Sequence, residues 1–161
     1  MSSRRSCITG AAAAIAAALV LSAPAYGGAL RLSDLERQFL QAVNERRSQH
    51  RLPPLRVDDR LVRAARQHSR DMVARQYFAH GNFAGRLGRF GARGPLVGEN
   101  LGWSTDDGTS IQRVVTNWLA SPPHRAVMLR RGFQLIGVGI RLGPFMGRGR
   151  CVVVTTDFQG R

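Results

Sequence analysis

Apolar residues recur along this chain with two periods, and each period predicts a different kind of element. Leu35, Phe39 and Val43 fall on one helical stripe behind Ser33-Asp34-Leu35-Glu36, a capping-box pattern in which the Ser oxygen and the Glu carboxylate satisfy two amides at a helix start. This first helix has to end before Pro53-Pro54. Leu61, Ala65, His68 and Met72 recur at alternating steps of four and three, which predicts a second helix from about Asp58 to Arg75 with those four side chains facing the core. On that stripe His68 reads as a hydrogen-bonded core histidine. From Gly81 to Gly108 the periodicity fades and six further glycines intervene, the pattern of loops able to approach a site closely. Thr109-Ser110-Ile111-Gln112 is a second capping box, and Ile111, Val114, Val115 and Trp118 lay out the buried face of a third helix. Pro122-Pro123 stops that helix, and a short one is expected from near His124 to before Gly132.

Ile136, Val138, Ile140 and Leu142 then alternate with Gly137, Gly139 and Arg141, the period of two expected of a strand with one buried face. A second strand follows at Cys151 to Phe158, with Gly143 to Gly149 as the turn between them. A hairpin alone is marginal in water, so the helices must cover its apolar face. The chain therefore reads as an α+β layered domain around a small antiparallel sheet.

The first 25 residues stand outside this pattern. Arg4 and Arg5 precede an uncharged, Ala-rich run from Cys7 to Ala23, and Ala23-Pro24-Ala25 offers the small residues of a signal-peptidase site. The expectation is an export signal over 1–25 and a mature domain over 26–161 that begins at Tyr26. The apolar run is shorter than the roughly 20 residues that cross a bilayer core and it contains Thr9 and Gly10. No transmembrane segment is expected once the signal is cleaved. Ser3-Arg4-Arg5 also suits twin-arginine export as an alternative to the general secretory route. A lipoprotein anchor would need a Cys at the cleavage site, whereas Cys7 lies at the front of the run. The destination is periplasmic or extracellular.

Charge and cysteine content narrow the partners. The chain has 24 basic residues, all Arg, against 10 acidic ones, a formal net charge of +14; without Arg4 and Arg5 it is +12. The arginines are scattered, as on a solvated basic surface, and they favour an anionic envelope component as partner. No recognition-helix or aromatic-stacking motif accompanies them, so specific nucleic-acid binding is not expected. After signal removal Cys151 is the only cysteine, which leaves packing rather than an internal disulfide to hold the fold. Its place in a Val-rich strand argues for burial and for a monomer.

Several stretches match one known pattern in order and spacing. Ala64-Ala65, His68-Ser69-Arg70-Asp71-Met72, Tyr77-Phe78-Ala79-His80, Gly98-Glu99-Asn100-Leu101-Gly102, Trp118-Leu119-Ala120-Ser121-Pro122-Pro123-His124-Arg125 and Phe133-Gln134-Leu135-Ile136-Gly137-Val138-Gly139 resemble, as a set, the bacterial branch of the CAP superfamily, which also holds cysteine-rich secretory, antigen-five and pathogenesis-related proteins. The resemblance implies a three-layer α-β-α sandwich with a central cleft lined by two His and two Glu, able in some members to bind a divalent metal. His80, Glu99 and His124 fall on three of those places, and Ser121 falls where the eukaryotic members carry the second Glu.

Three readings of this cleft stay open at this point. His80 and His124 suit a weakly bound divalent metal such as zinc, with Glu99 as a third ligand or as the base that aligns a water in a metal-assisted, peptidase-like hydrolase. Alternatively, Glu99 and both His hydrogen-bond one another and neighbouring backbone and pin the Gly-rich loops without catalysis, with Asn100 securing the loop after Glu99 through local hydrogen bonds, or the cleft of His80, Glu99, His124, Asn100 and Ser121 takes a small ligand in a binding module. Trp103 is placed to line it. A Ser121–His124 nucleophile pair is disfavoured, because Pro122-Pro123 constrains the backbone between them and no nucleophile elbow surrounds the Ser.

Overall fold

A computed structural model describes residues 30–108 and 110–160. The signal segment 1–25 and the expected new start at Tyr26 lie outside the described residues, as does Thr109 of the second capping box.

Ser33 opens α1 (Asp34–Gln49) as a full capping box: its side chain accepts from the Glu36 amide, and the Glu36 carboxylate accepts from the Ser33 amide at 2.8 Å. Asp58 caps α2 (Asp59–Arg75), which ends at Gln76 in the left-handed region. After Gly81 the chain departs from the loops expected of it. Phe83–Arg89 form a short helix, α3, capped by Asn82, and Leu96–Thr105 form a ten-residue strand, β2. Helix α4 (Ser110–Ala120) runs into Ser121, and Pro122 and Pro123 open α5 (Pro122–Met128) two residues earlier than expected. Proline is well placed there, because the first turn of a helix has no use for its missing amide.

The hairpin strands β3 (Phe133–Phe145) and β4 (Arg148–Gly160) run longer than the apolar alternation suggested. The Gly143 to Gly149 turn shrinks to Met146-Gly147, both at positive φ (51° and 73°), as a two-residue type I′ turn requires. The sheet has the order β1-β3-β4-β2, where β1 is the two-residue segment Arg56–Val57. It is mixed rather than purely antiparallel, since β1 pairs parallel to β3 while β4 pairs antiparallel with both β3 and β2.

Helices cover both faces, which gives the α-β-α sandwich. On one face Phe39 and Val43 of α1, Val114 and Trp118 of α4 and Met128 of α5 pack on Ile136, Val138, Val154 and Phe158. On the other, α2 presses so closely on β3 that a Cβ at Gly137 or Gly139 would stand 2.1 or 2.2 Å from the α2 backbone at Leu61 or Ala65. Glycine is required at that crossing. Ser69 tightens the contact, with its Oγ 2.7 Å from the Gly139 carbonyl and 2.9 Å from Thr155 Oγ1. The helical layers are also tied directly, Arg66 of α2 donating from Nε to the buried Glu36 of α1 at 2.7 Å. Cys151 is buried, as its strand context indicated. Among the described residues no helix is long and apolar enough to cross a membrane.

Candidate functional site

The site forms around β2, the edge strand furthest from β1. Strand alternation sends Glu99 and Asn100 to opposite faces. Glu99 turns toward α2 and α3, and Asn100 toward α5.

His80 sits in the segment between α2 and α3. His68, a core residue of α2, holds that segment through its Nε2, 3.0 Å from the Ala79 carbonyl, and Arg86 Nη1 donates to the His80 carbonyl at 3.3 Å. The His80 ring projects outward, its side chain 56% exposed, with Nδ1 2.7 Å from Glu99 Oε1. The other Glu99 oxygen accepts from Arg86 Nη2. Both Glu99 and Arg86 are buried.

Directly opposite Glu99 in the β2–β4 ladder stands Asp157, which is fully buried. Arg86 Nη2 is 4.0 Å from its Oδ1; no N–H or hydroxyl donor reaches either Asp157 oxygen among the described residues, and its hydrogen-bond partner is the Glu99 carboxyl. Two carboxyls thus face one guanidinium in a place sealed from water. Burial raises the Glu99 pKa to about 7, against the pull of Arg86. Burial, then the Glu99 charge, holds Asp157 well above the ordinary aspartate range. A buried carboxylate without donors is costly, so the pair retains a proton at neutral pH.

His124 comes from α5 and is half-buried. Its Nδ1 lies 2.8 Å from Ser121 Oγ, and its ring stacks on Trp118 at 6.2 Å with a 4° interplanar angle. Asn100 is 1% exposed and donates from Nδ2 to the His124 carbonyl at 2.9 Å. It secures α5 across the strand rather than the loop after Glu99 through local bonds. Burial lowers the pKa of both imidazoles, helped by Arg86 at His80 and by His80 at His124. Both are therefore neutral at physiological pH, with no partner at Nε2 among the described residues.

Beside His124 opens a cavity of about 280 Å³, walled by Phe78 and Trp103 on one side and by Trp118, Asn117 and Ser121 on the other. The structure thus joins His80 to Glu99 and Ser121 to His124, and it puts Trp103 in the wall of the cleft. No group of three or more His, Cys, Asp or Glu converges as a metal cage among the described residues.

Arg86 and Asp157 escaped the sequence reading. A signal for Asp157 was present, since a carboxylate inside the strand Val152-Val153-Val154-Thr155-Thr156-Asp157-Phe158 has to be paired once buried. Arg86 carried none, being one arginine among many.

Comparison with known proteins follows the same segments. The model of the cysteine-rich secretory protein family, CAP, matches residues 40–155. The uncharacterized protein YkwD of Bacillus subtilis is 32% identical over 113 residues, which is 67% of this chain and 43% of YkwD. An extracellular protein containing a SCP domain from Bacillus anthracis superposes with a TM-score of 0.65 at 27% identity, over 83% of this chain and 45% of that one. An outer surface protein from Borrelia burgdorferi shares the fold with a TM-score of 0.64 at 18% identity, over 82% of this chain and 97% of its own. The chain spans less than half the length of YkwD and of the Bacillus anthracis protein.

Proposed function

The chain belongs to the cysteine-rich secretory protein (CAP) family, and we propose that it is an exported binding module of the cell envelope or extracellular space whose cleft between His80 and His124 takes a small ligand or a divalent metal. The carrying observation is that each imidazole is anchored at Nδ1, by Glu99 or by Ser121, and is half-exposed on the rest of its ring. Anchoring of that kind fixes tautomer and orientation, and a carboxylate behind a His is a recurrent support for metal ligands. Export is supported by the pattern of residues 1–25 and by the extracellular and outer-surface descriptions of two structural relatives. The surplus of arginine suits an anionic envelope component as the wider partner.

A divalent ion such as zinc would draw its protein ligands from Nε2 of His80 and Nε2 of His124. This requires the Nδ1–H of His124 to donate to Ser121. Two neutral imidazoles with solvent completing the shell make a weak site, short of the three protein ligands usual in catalytic zinc centres. A hydrolase reading needs Glu99 as a base open to the cleft, yet both its oxygens are engaged by His80 and Arg86 and it is buried. That geometry favours binding over turnover.

Calorimetric titration with Zn²⁺ should show one weak site, lost in His80→Ala and in His124→Ala and weakened in acid as the imidazoles protonate, at a pH below the ordinary histidine value. Heat of binding unchanged in the double variant overturns the metal assignment. Retention on envelope fractions should fall with added salt, and salt-independent retention, or none, counts against the envelope partner.

A further inference from the structure

The cavity beside His124 has a composition that stands out in this chain. Although the chain carries 24 arginines and 10 acidic residues, no arginine, aspartate or glutamate lines it among the described residues. One wall is aromatic: Phe78, 41% exposed, and Trp103, whose ring is held edge-to-face by Phe145 at 5.7 Å. The opposite end carries Asn117, Ser121 and His124. An amide, a hydroxyl and a neutral imidazole each donate and accept, which matches neutral hydroxyl and acetamido groups and gives no counter-charge to an ion. The Asn117 amide has no partner among the described residues. At about 280 Å³ the cavity sits at the small end of ligand pockets, which begin near roughly 300 Å³.

We infer that this cavity is a binding site for one neutral saccharide ring, with the C–H face of the sugar laid against Trp103 and Phe78 and its hydroxyl or acetamido groups bonded to Asn117, Ser121 and His124. The inference rests on the cleft being a ligand site and names the class of ligand. The partly positive C–H face of a pyranose complements the negative face of an indole, and a sugar presents that face and a polar rim together. An apolar peptide side chain could enter the same hollow, but its backbone would then need the open edge of β2 for strand addition. That edge is already used at Leu101, whose carbonyl accepts from Trp118 Nε1 at 2.9 Å.

The test is saturation-transfer NMR with a tryptophan-fluorescence titration of the full exported domain in chelator, using N-acetylglucosamine, glucose and, as apolar peptide probe, N-acetylphenylalaninamide. A single ring should bind with a Kd on the order of 1 mM. Trp103→Ala and the exposed Asn117→Ala should each weaken it by about tenfold; Asn117→Ala keeps the test valid if loss of the indole disturbs folding. Absence of saturable binding by either sugar, binding untouched in Asn117→Ala and in a folded Trp103→Ala, or tighter binding of the peptide probe overturns the inference. A parallel Zn²⁺ titration separates the two proposals. Zinc bound without sugar refutes the saccharide site alone, whereas sugar bound without zinc supports it and removes the metal.

Discussion

Replacing Asp157 by Asn probes the buried charge cluster behind His80, and the structure sets the sign of the effect. In the unfolded chain the carboxyls of Glu99 and Asp157 titrate near pH 4. In the fold, burial carries Glu99 to about 7 and holds Asp157 well above its ordinary range. For an acid whose folded pKa lies above its unfolded one, stability is full at acid pH and is lost as pH climbs between the two values. For Glu99 that window runs from about 4.5 to about 7, and the loss across it is on the order of 3 kcal/mol.

His68 works in the opposite sense. Burial lowers its pKa to about 4, so stability is lost as pH falls from about 6.5 to about 4, again by roughly 3 kcal/mol. His80 and His124, also lowered, add to the same side. The opposing slopes leave the native protein with a shallow profile between about pH 4.5 and 6.5.

Asn has the shape of a protonated Asp, and its amide donates to Glu99 at every pH, while the burial that raises the Glu99 pKa is unchanged. The variant should match the native protein at pH 4 and exceed its stability at pH 8, because the penalty of the buried Asp157 carboxyl is gone, while the loss of about 3 kcal/mol that burial of Glu99 brings and the His68 slope stay in both proteins. Urea unfolding followed by tryptophan fluorescence, in chelator and at half-unit steps of pH, measures this difference. A variant less stable than native at pH 8, or displaced by the same amount at every pH, would refute the shared proton and make Asp157 an ionised partner of Arg86.

Two further predictions concern parts of the scaffold that hold the cleft. Arg47 is fully buried with no acidic partner among the described residues, and its guanidinium donates to the carbonyls of Pro53, Met128, Arg130 and Phe133 at 2.9 to 3.3 Å. Arg47→Met strips donors from these acceptors and should cost about 3 kcal/mol in the urea midpoint, each orphaned buried carbonyl being worth roughly 1–3 kcal/mol; a loss under about 1 kcal/mol would mean that water replaces the guanidinium. Met146 holds φ 51° at the hairpin tip with its side chain half-exposed. Met146→Gly should therefore stabilise by about 1 kcal/mol, and a destabilised variant would show that the Met side chain contributes more than the strain it tolerates.

What the sequence revealed and what it hid divide along the range of the interactions involved. The Ser33 capping box, the α2 stripe and the period of two in β3 are local patterns, and each stands in the fold where local chemistry puts it. Strand β2 is the opposite case. Leu96-Val97-Gly98-Glu99-Asn100-Leu101-Gly102-Trp103 mixes residues that strands usually avoid, and each departure answers a distant neighbour. A Cβ at Gly98 would meet the Phe133 ring at 2.7 Å, and one at Gly102 would meet Val114 at 2.5 Å. Asn100 serves the His124 carbonyl, and Glu99 serves His80 and Arg86.

The site was half legible for the same reason. His80, Glu99 and His124 could be picked out as residue types in a family pattern, and the structure gives each a defined anchor. Arg86 and Asp157 bear on the charge of the buried Glu99 only because the β2–β4 register puts Asp157 opposite it and α3 lays a guanidinium beside both. A register between strands separated by two helices and another strand is written in no local run of residues. The behaviour of the cleft with pH is therefore a property of the assembled sheet, and changing Asp157, which touches neither imidazole, tests it without altering the groups proposed to meet a ligand.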